Sequence, residues 1–130
     1  MKASTKEWFS AANDDFETVK ILMENSNLTN IVTFHLQQAI EKTLKAFFEE
    51  YELGFIKTHN LQTLLAMVED QLKLEYDEQV IGEIDQLYID SRYPGDIGLL
   101  PNGNPSMNDI SKYHKLALSI FDQVNRHINR

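Results

Sequence analysis

From Phe34 to Phe48 the chain reads FHLQQAIEKTLKAFF, and its apolar and polar positions separate at helical spacing. Leu36, Ile40, Leu44, Phe47 and Tyr51 fall on one arc, while Gln38, Glu41, Lys42, Lys45 and Glu49 fall on the other. The pattern predicts one amphipathic helix over about Asn30 to Tyr51. If its polar stripe is a solvated face, Glu41 with Lys45 and Lys45 with Glu49 form a ladder, each pair adding roughly 0.2–0.5 kcal/mol. Ala39 and Ala46 lie on the shoulder of the apolar arc, where small residues let a neighbouring helix come close.

Four more segments carry the same periodicity. Between Thr5 and Asn25, Trp8, Ala11, Ala12, Phe16, Val19, Leu22 and Met23 share a face. Asp15 falls among them, where an unpaired carboxylate would cost several kcal/mol or take up a proton, so a partner is expected. Asn25-Ser26-Asn27 ends this helix, because short polar side chains compete for the backbone. In the third helix Leu61, Leu64, Leu65, Val68 and Leu72 repeat, with His59 beside the cap residues Thr58 and Asn60 as a local hydrogen-bonding group. The fourth opens near Asp77, turns Val80, Ile84, Leu87 and Tyr88 inward and stops by Arg92 or Tyr93, because Pro94 disfavours helical geometry before it. All three prolines and three of the five glycines lie between Tyr93 and Pro105, which predicts a long loop in which Ile97, Leu99 and Leu100 pack somewhere. Ser106-Met107-Asn108-Asp109 has the form of a capping box, and Ile110, Tyr113, His114, Ala117, Phe121, Val124 and Ile128 make the last inward face. No segment reads as a strand. The expected fold is all-α, an up-and-down bundle of about five helices with a four-helix-bundle-like core.

Composition narrows the chemistry. At 130 residues the chain fits one domain, residues 1–130. It has no cysteine, which removes disulfides, thiolate metal sites and a cysteine nucleophile, and suits a reducing compartment. No run is long and apolar enough for a membrane span, and MKASTKEWFSAANDD lacks the apolar stretch of a signal peptide, so a cytoplasmic location is expected. The formal charge of −8 argues against a sequence-blind nucleic-acid binder, which draws its affinity from phosphate neutralisation. A dinuclear metal site in a bundle wants Glu-x-x-His, but Val32, Ile56, Ser111 and Val124 stand three residues before the four histidines. No Walker loop or GxSxG elbow is present, and neither metal nor cofactor is expected.

The polar residues in apolar or constrained settings are Asp15, the Gln38/Glu41/Lys42/Lys45 stripe, His59, and Asp90-Ser91-Arg92-Tyr93-Pro94. Arg92 can satisfy free carbonyls at its helix end, or its planar fork beside a tyrosine ring can bind a phosphate or a partner carboxylate. In this order the segments resemble the HEPN domain. The resemblance rests on Trp8 with Ala12-x-x-Asp15-Phe16, on Gln37-Gln38-Ala39-x-Glu41-Lys42-x-x-Lys45-Ala46, on His59-x-Leu61-x-x-Leu64-Leu65, and on Arg92-Tyr93-Pro94. It implies a homodimeric helical bundle, often encoded beside a small nucleotidyltransferase to which it is a partner or substrate-binding subunit. Some members of the wider family are metal-independent ribonucleases, with Arg followed after four to six residues by His. Here Ile97, Gly98 and Leu99 occupy those positions after Arg92, and an arginine alone can stabilise charge but not move a proton.

The expectation is therefore a non-catalytic module for a nucleotide, RNA or protein partner. Lys42, Lys45 and Arg92 would contact phosphate or acidic groups and Tyr93 would pack beside the ligand, with Asp15, Gln38 and His59 holding or orienting them. On this reading Lys45 can be removed with little loss of stability. The alternatives are a ribonuclease built on Arg92 with His59 or His114, and an adaptor that meets another protein through Ile97, Leu99 and Leu100.

Overall fold

A computed structural model describes residues 1–92 and 104–130, without the side chains of Ser26, Ser91 and Arg92. The loop expectations for Ile97, Leu99 and Leu100, the role given to Tyr93 and the contacts of the Arg92 side chain all lie outside the described residues.

Among the described residues five α-helices form an all-helical bundle: α1 (Ala3–Leu22), α2 (Thr29–Glu50), α3 (Leu61–Val68), α4 (Glu78–Arg92) and α5 (Met107–Ile128). A 3₁₀ turn over Ser26–Leu28 separates the first two, held by Asn25, whose side chain accepts from Asn27 N at 2.9 Å. No strand occurs among the described residues, and no helix there is long and apolar enough to cross a membrane.

The second helix is the axis of the bundle, in contact with each of the other four. Its burial therefore goes well beyond the single arc expected from its sequence. Leu36, Ile40, Leu44 and Phe47 are fully buried, and so are Ala39, Thr43 and Ala46 on the other side. The small residues let α1 lie close, and the hydroxyls of Thr33 and Thr43 turn back onto the carbonyls of Thr29 and Ala39, at 2.9 and 2.8 Å. Among the described residues the expected second rung of the ladder is not made: the carboxylate that Lys45 meets is Glu41, while Glu49 accepts from Ser4 Oγ at 2.7 Å. Glu50 accepts from Lys2 N and Thr5 Oγ1, at 2.9 and 3.0 Å, so both carboxylates sit at the start of α1, where free amides and the helix dipole favour negative charge.

The remaining elements follow their caps. Asn60 accepts from Thr63 N at the start of α3, Asp77 from Gln79 N and Val80 N at the start of α4. Ser106 and Asp109 close the expected capping box on α5. Along α1 the buried face includes Phe9, which packs edge-on against Phe121 at 5.4 Å. Ile81, Leu116 and Ile120 also join the core beyond the residues read from the pattern, whereas Leu72 lies past the end of α3 and is partly buried.

Candidate binding site

Two buried carboxylates organise the polar side of α2. Asp15, on α1 and 6% exposed, accepts from His35 Nδ1 at 2.9 Å and from Lys42 Nζ at 2.8 Å. This is the partner that its place among apolar neighbours required. On α2 itself, between His35 and Lys42, Glu41 is 4% exposed and accepts from Lys45 Nζ at 2.8 Å, His59 Nδ1 at 2.9 Å and Gln37 Nε2 at 3.1 Å. Burial alone would push the Glu41 carboxyl up, but these three hydrogen bonds and the charge of Lys45 outweigh it and hold the group below the ordinary carboxylate range. The site thus contains the same unit twice: a buried carboxylate, a lysine and a histidine.

In each unit the carboxylate accepts, which puts the imidazole hydrogen on Nδ1 and leaves Nε2 as the outward ring atom. Neither Nε2 has a hydrogen-bond partner among the described residues. Ring contacts link the two units. Phe34 stacks on Tyr88 at 5.8 Å with 11° between planes, His59 stacks on the same tyrosine at 5.9 Å, and His35 stands edge-on to Phe34 at 5.3 Å. Lys45 is also enclosed, its Nζ 5.8 Å from the ring of Trp8 and equally far from that of Phe55.

The structure therefore brings Asp15, Gln38, Lys42, Lys45 and His59 onto one connected face. Arg92 stands one helical turn beyond Tyr88 on α4. Two expectations change. Lys45 is 9% exposed and paired with a buried carboxylate, so its loss would leave Glu41 short of a partner and cost stability. His114 lies elsewhere, between α1 and α5 with its ring 6.3 Å from Phe16, and burial together with nearby Lys20 holds its imidazole below the ordinary range. The pattern reading missed Phe34, His35, Gln37 and Tyr88 as site residues. For His35 a signal existed, because seven residues before Lys42 is the same face of a helix. Gln37 needed the position of the His59 backbone, which no helical wheel contains. Among the described residues no group of three His, Asp or Glu side chains is placed to hold a metal ion.

A helical bundle whose central helix carries paired buried ions, edged by stacked rings, defines a class of site more than a single chemistry. The HEPN domain model matches residues 5–127, and the chain belongs to the HEPN family. The crystal structure of an archaeal HEPN homologue is similar over 98% of this chain and 99% of that one, with a TM-score of 0.72 and 21% identity, a likeness of fold. No curated protein matches the chain.

Proposed function

We propose that this chain is a non-catalytic HEPN-type binding module that takes a phosphate-bearing ligand, a nucleotide or RNA, along the polar face of α2. Lys42 and Arg92 meet phosphate or acidic groups, Lys45 lends its charge from behind them while it holds Glu41, Tyr93 packs beside the ligand, and Asp15, Gln38 and His59 hold the contacts in place. The module works as a homodimer and serves a small nucleotidyltransferase as partner or substrate-binding subunit. The observation that carries the reading is the fixed posture of Lys42: Asp15 anchors it at 2.8 Å, yet a quarter of its side chain stays open to solvent, beside an outward His35 and an exposed Phe34. A cation held in place before the ligand arrives loses little side-chain freedom on binding.

Lys42→Gln tests this, since glutamine can still donate to Asp15 but carries no charge. Titration of ribose 5-phosphate and of a short RNA should show affinity reduced about tenfold, roughly the worth of one charge-assisted hydrogen bond, in a chain that circular dichroism shows to be folded although its melting temperature is lowered, because Asp15 loses its charged partner. Equal binding by the variant and the parent chain would remove Lys42 from the site.

A metal-independent ribonuclease is the second reading, favoured by the two carboxylate-held histidines. An outward Nε2 can take the proton of a 2′-hydroxyl, the step that Arg92 could not perform. His59 suits it better than His114, which packs away from the network. Incubation of the purified chain with RNA decides: cleavage lost in both Arg92→Ala and His59→Gln favours the enzyme, and intact RNA at high protein concentration favours the binding module.

A further inference from the structure

We infer that the C-terminal end of α5 carries a second anion site, separate from the polar face of α2, in which Arg126, His127 and Arg130 take a terminal phosphate group. Two of the chain's three arginines stand here, although the chain as a whole carries −8. With His127, Gln123 and Leu72 they line a cavity of about 240 Å³, and no carboxylate side chain is among these lining residues. In an acidic protein a concave surface lined by cations is a local reversal of sign.

Basic residues in a last helical turn ordinarily serve the free carbonyls and the helix dipole. Arg126 is turned the other way, toward Asp122, with its Nη2 3.1 Å from the carboxylate. Both side chains of that pair are exposed, so the contact orients the guanidinium, contributes little stability and leaves most of its five donors open. His127 is placed by packing, its ring 6.0 Å from that of Phe47 and 5.8 Å from that of Tyr51 at the end of α2. Its ring nitrogens, like the Arg130 guanidinium, have no hydrogen bond or ion pair among the described residues. Gln123 makes a fixed wall. Its Nε2 donates to the Glu75 carbonyl at 2.8 Å and to Ser119 Oγ at 3.0 Å, and its Oε1 accepts from Glu75 N at 2.8 Å, which ties α5 to the chain that follows α3.

Size and donor set decide the class of ligand. The volume falls short of the roughly 300–1,000 Å³ of a pocket for a whole small molecule, so the cavity takes one group of a larger ligand. Two guanidinium forks and an imidazole N–H offer donors from three side chains. A carboxylate, with two oxygens and one charge, would leave part of that set unused, whereas a terminal phosphate brings three oxygens and a charge of about −1.5 to −2 at pH 7. Phe47, against which His127 packs, comes five residues after Lys42, about 140° further around α2 and about 7.5 Å along it, so the two sites face different ways.

The test follows proton–nitrogen correlation spectra of the full chain during titration with ribose 5-phosphate or with acetate at constant ionic strength. Resonances of Arg126, His127 and Arg130 should move and saturate with ribose 5-phosphate, and acetate should require at least about tenfold higher concentration. Arg126→Gln combined with Arg130→Gln should weaken ribose 5-phosphate at this end of α5 at least about tenfold, the worth of one charge-assisted hydrogen bond or more, in a chain that circular dichroism shows to be folded. Lys42→Gln, which acts at the other site, should leave the movement at Arg126 and Arg130 as it is in the parent chain. Ten-residue RNAs ending in a 5′-phosphate or a 5′-hydroxyl separate the sources of the group. A preference for the 5′-phosphate that is lost in the double variant places it at an RNA end, and equal affinity of the two RNAs places it on a small phosphate ester. Acetate binding as tightly as ribose 5-phosphate, movement that is absent or never saturates, or unchanged affinity in the double variant would overturn the inference. Movement confined to the residues around Lys42 would overturn it while leaving the reading of the α2 face in place.

Discussion

A lysine enclosed by a carboxylate and two aromatic rings behaves differently from one on a solvated helix face, although the sequence spacing is the same. For Lys45 the difference can be measured. Among the described residues Lys45→Ala leaves Glu41, 4% exposed, with Gln37 and His59 as donors, so denaturant unfolding should show a loss of about 1–3 kcal/mol. Changing both partners, as Glu41→Gln with Lys45→Met, should recover most of it, because no uncompensated charge then remains buried. The pH dependence has a definite sign. Glu41 is held below its ordinary value of 4.5, so its contribution is complete above that pH and is lost as pH falls through the lower folded value. His114 is held below its ordinary 6.5, so its contribution is complete above 6.5 and is lost as pH falls below it. Stability should therefore decline in two stages on acidification; His114→Gln should flatten the first and Glu41→Gln the second. Asp15 was legible from sequence because a carboxylate among Trp8, Ala12 and Val19 demands a partner. The burial of Glu41 and Lys45 was not, because their spacing is also that of an exposed ladder, and only the position of α1 beside α2 decides between the two.

Helix starts and stops were the most legible features of the chain, since caps are local: Asn60, Asp77 and the Ser106–Asp109 box all act within a few residues. Two ends depend on less visible devices. The second helix closes in a Schellman motif, with Leu53 N donating to Phe48 O at 2.9 Å and Glu52 N to Glu49 O at 3.3 Å, and this places Glu52 at φ 53°. A left-handed position strains any residue with a Cβ. Glu52→Gly should stabilise the chain by up to about 1 kcal/mol, read as a melting temperature a few degrees higher, the loss of its exposed pair with Lys2 being minor. The other device crosses elements. Asp85, buried on α4, accepts from Leu61 N at 2.8 Å and Gln62 N at 3.1 Å, so α4 supplies acceptors for two free amides of α3. Burial pushes its carboxyl up and the two backbone bonds only partly offset this. Asp85→Ala should cost about 1–3 kcal/mol and speed hydrogen exchange at Leu61 and Gln62 ahead of the rest of α3. No periodicity could have announced it, because an aspartate beside Ile84 on an amphipathic wheel looks like an ordinary edge residue.

At the scale of the whole molecule the charges set how a ligand would be met. The chain carries −8, and within the described network Lys42 and Lys45 are matched by Asp15 and Glu41. A site of this kind has little net positive charge with which to displace counterions from RNA. Proteins that neutralise six to ten phosphates lose roughly a thousand- to hundred-thousandfold in affinity between 50 and 200 mM salt. For this chain and a ten-residue RNA the expected loss over that range is less than about tenfold, because binding would depend on a fixed ammonium and a stacked base, contacts made at short range. Association should also be slow at low salt, where an acidic protein and a polyanion repel, and should hold steady or quicken as salt is added. Stopped-flow titration at several ionic strengths measures both. A steep fall in affinity would mean that cations beyond the two paired lysines dominate, and would move the interface away from the polar face of α2. A flat dependence together with the loss of affinity in Lys42→Gln would identify the central helix as both the axis of the core and the surface that meets the ligand.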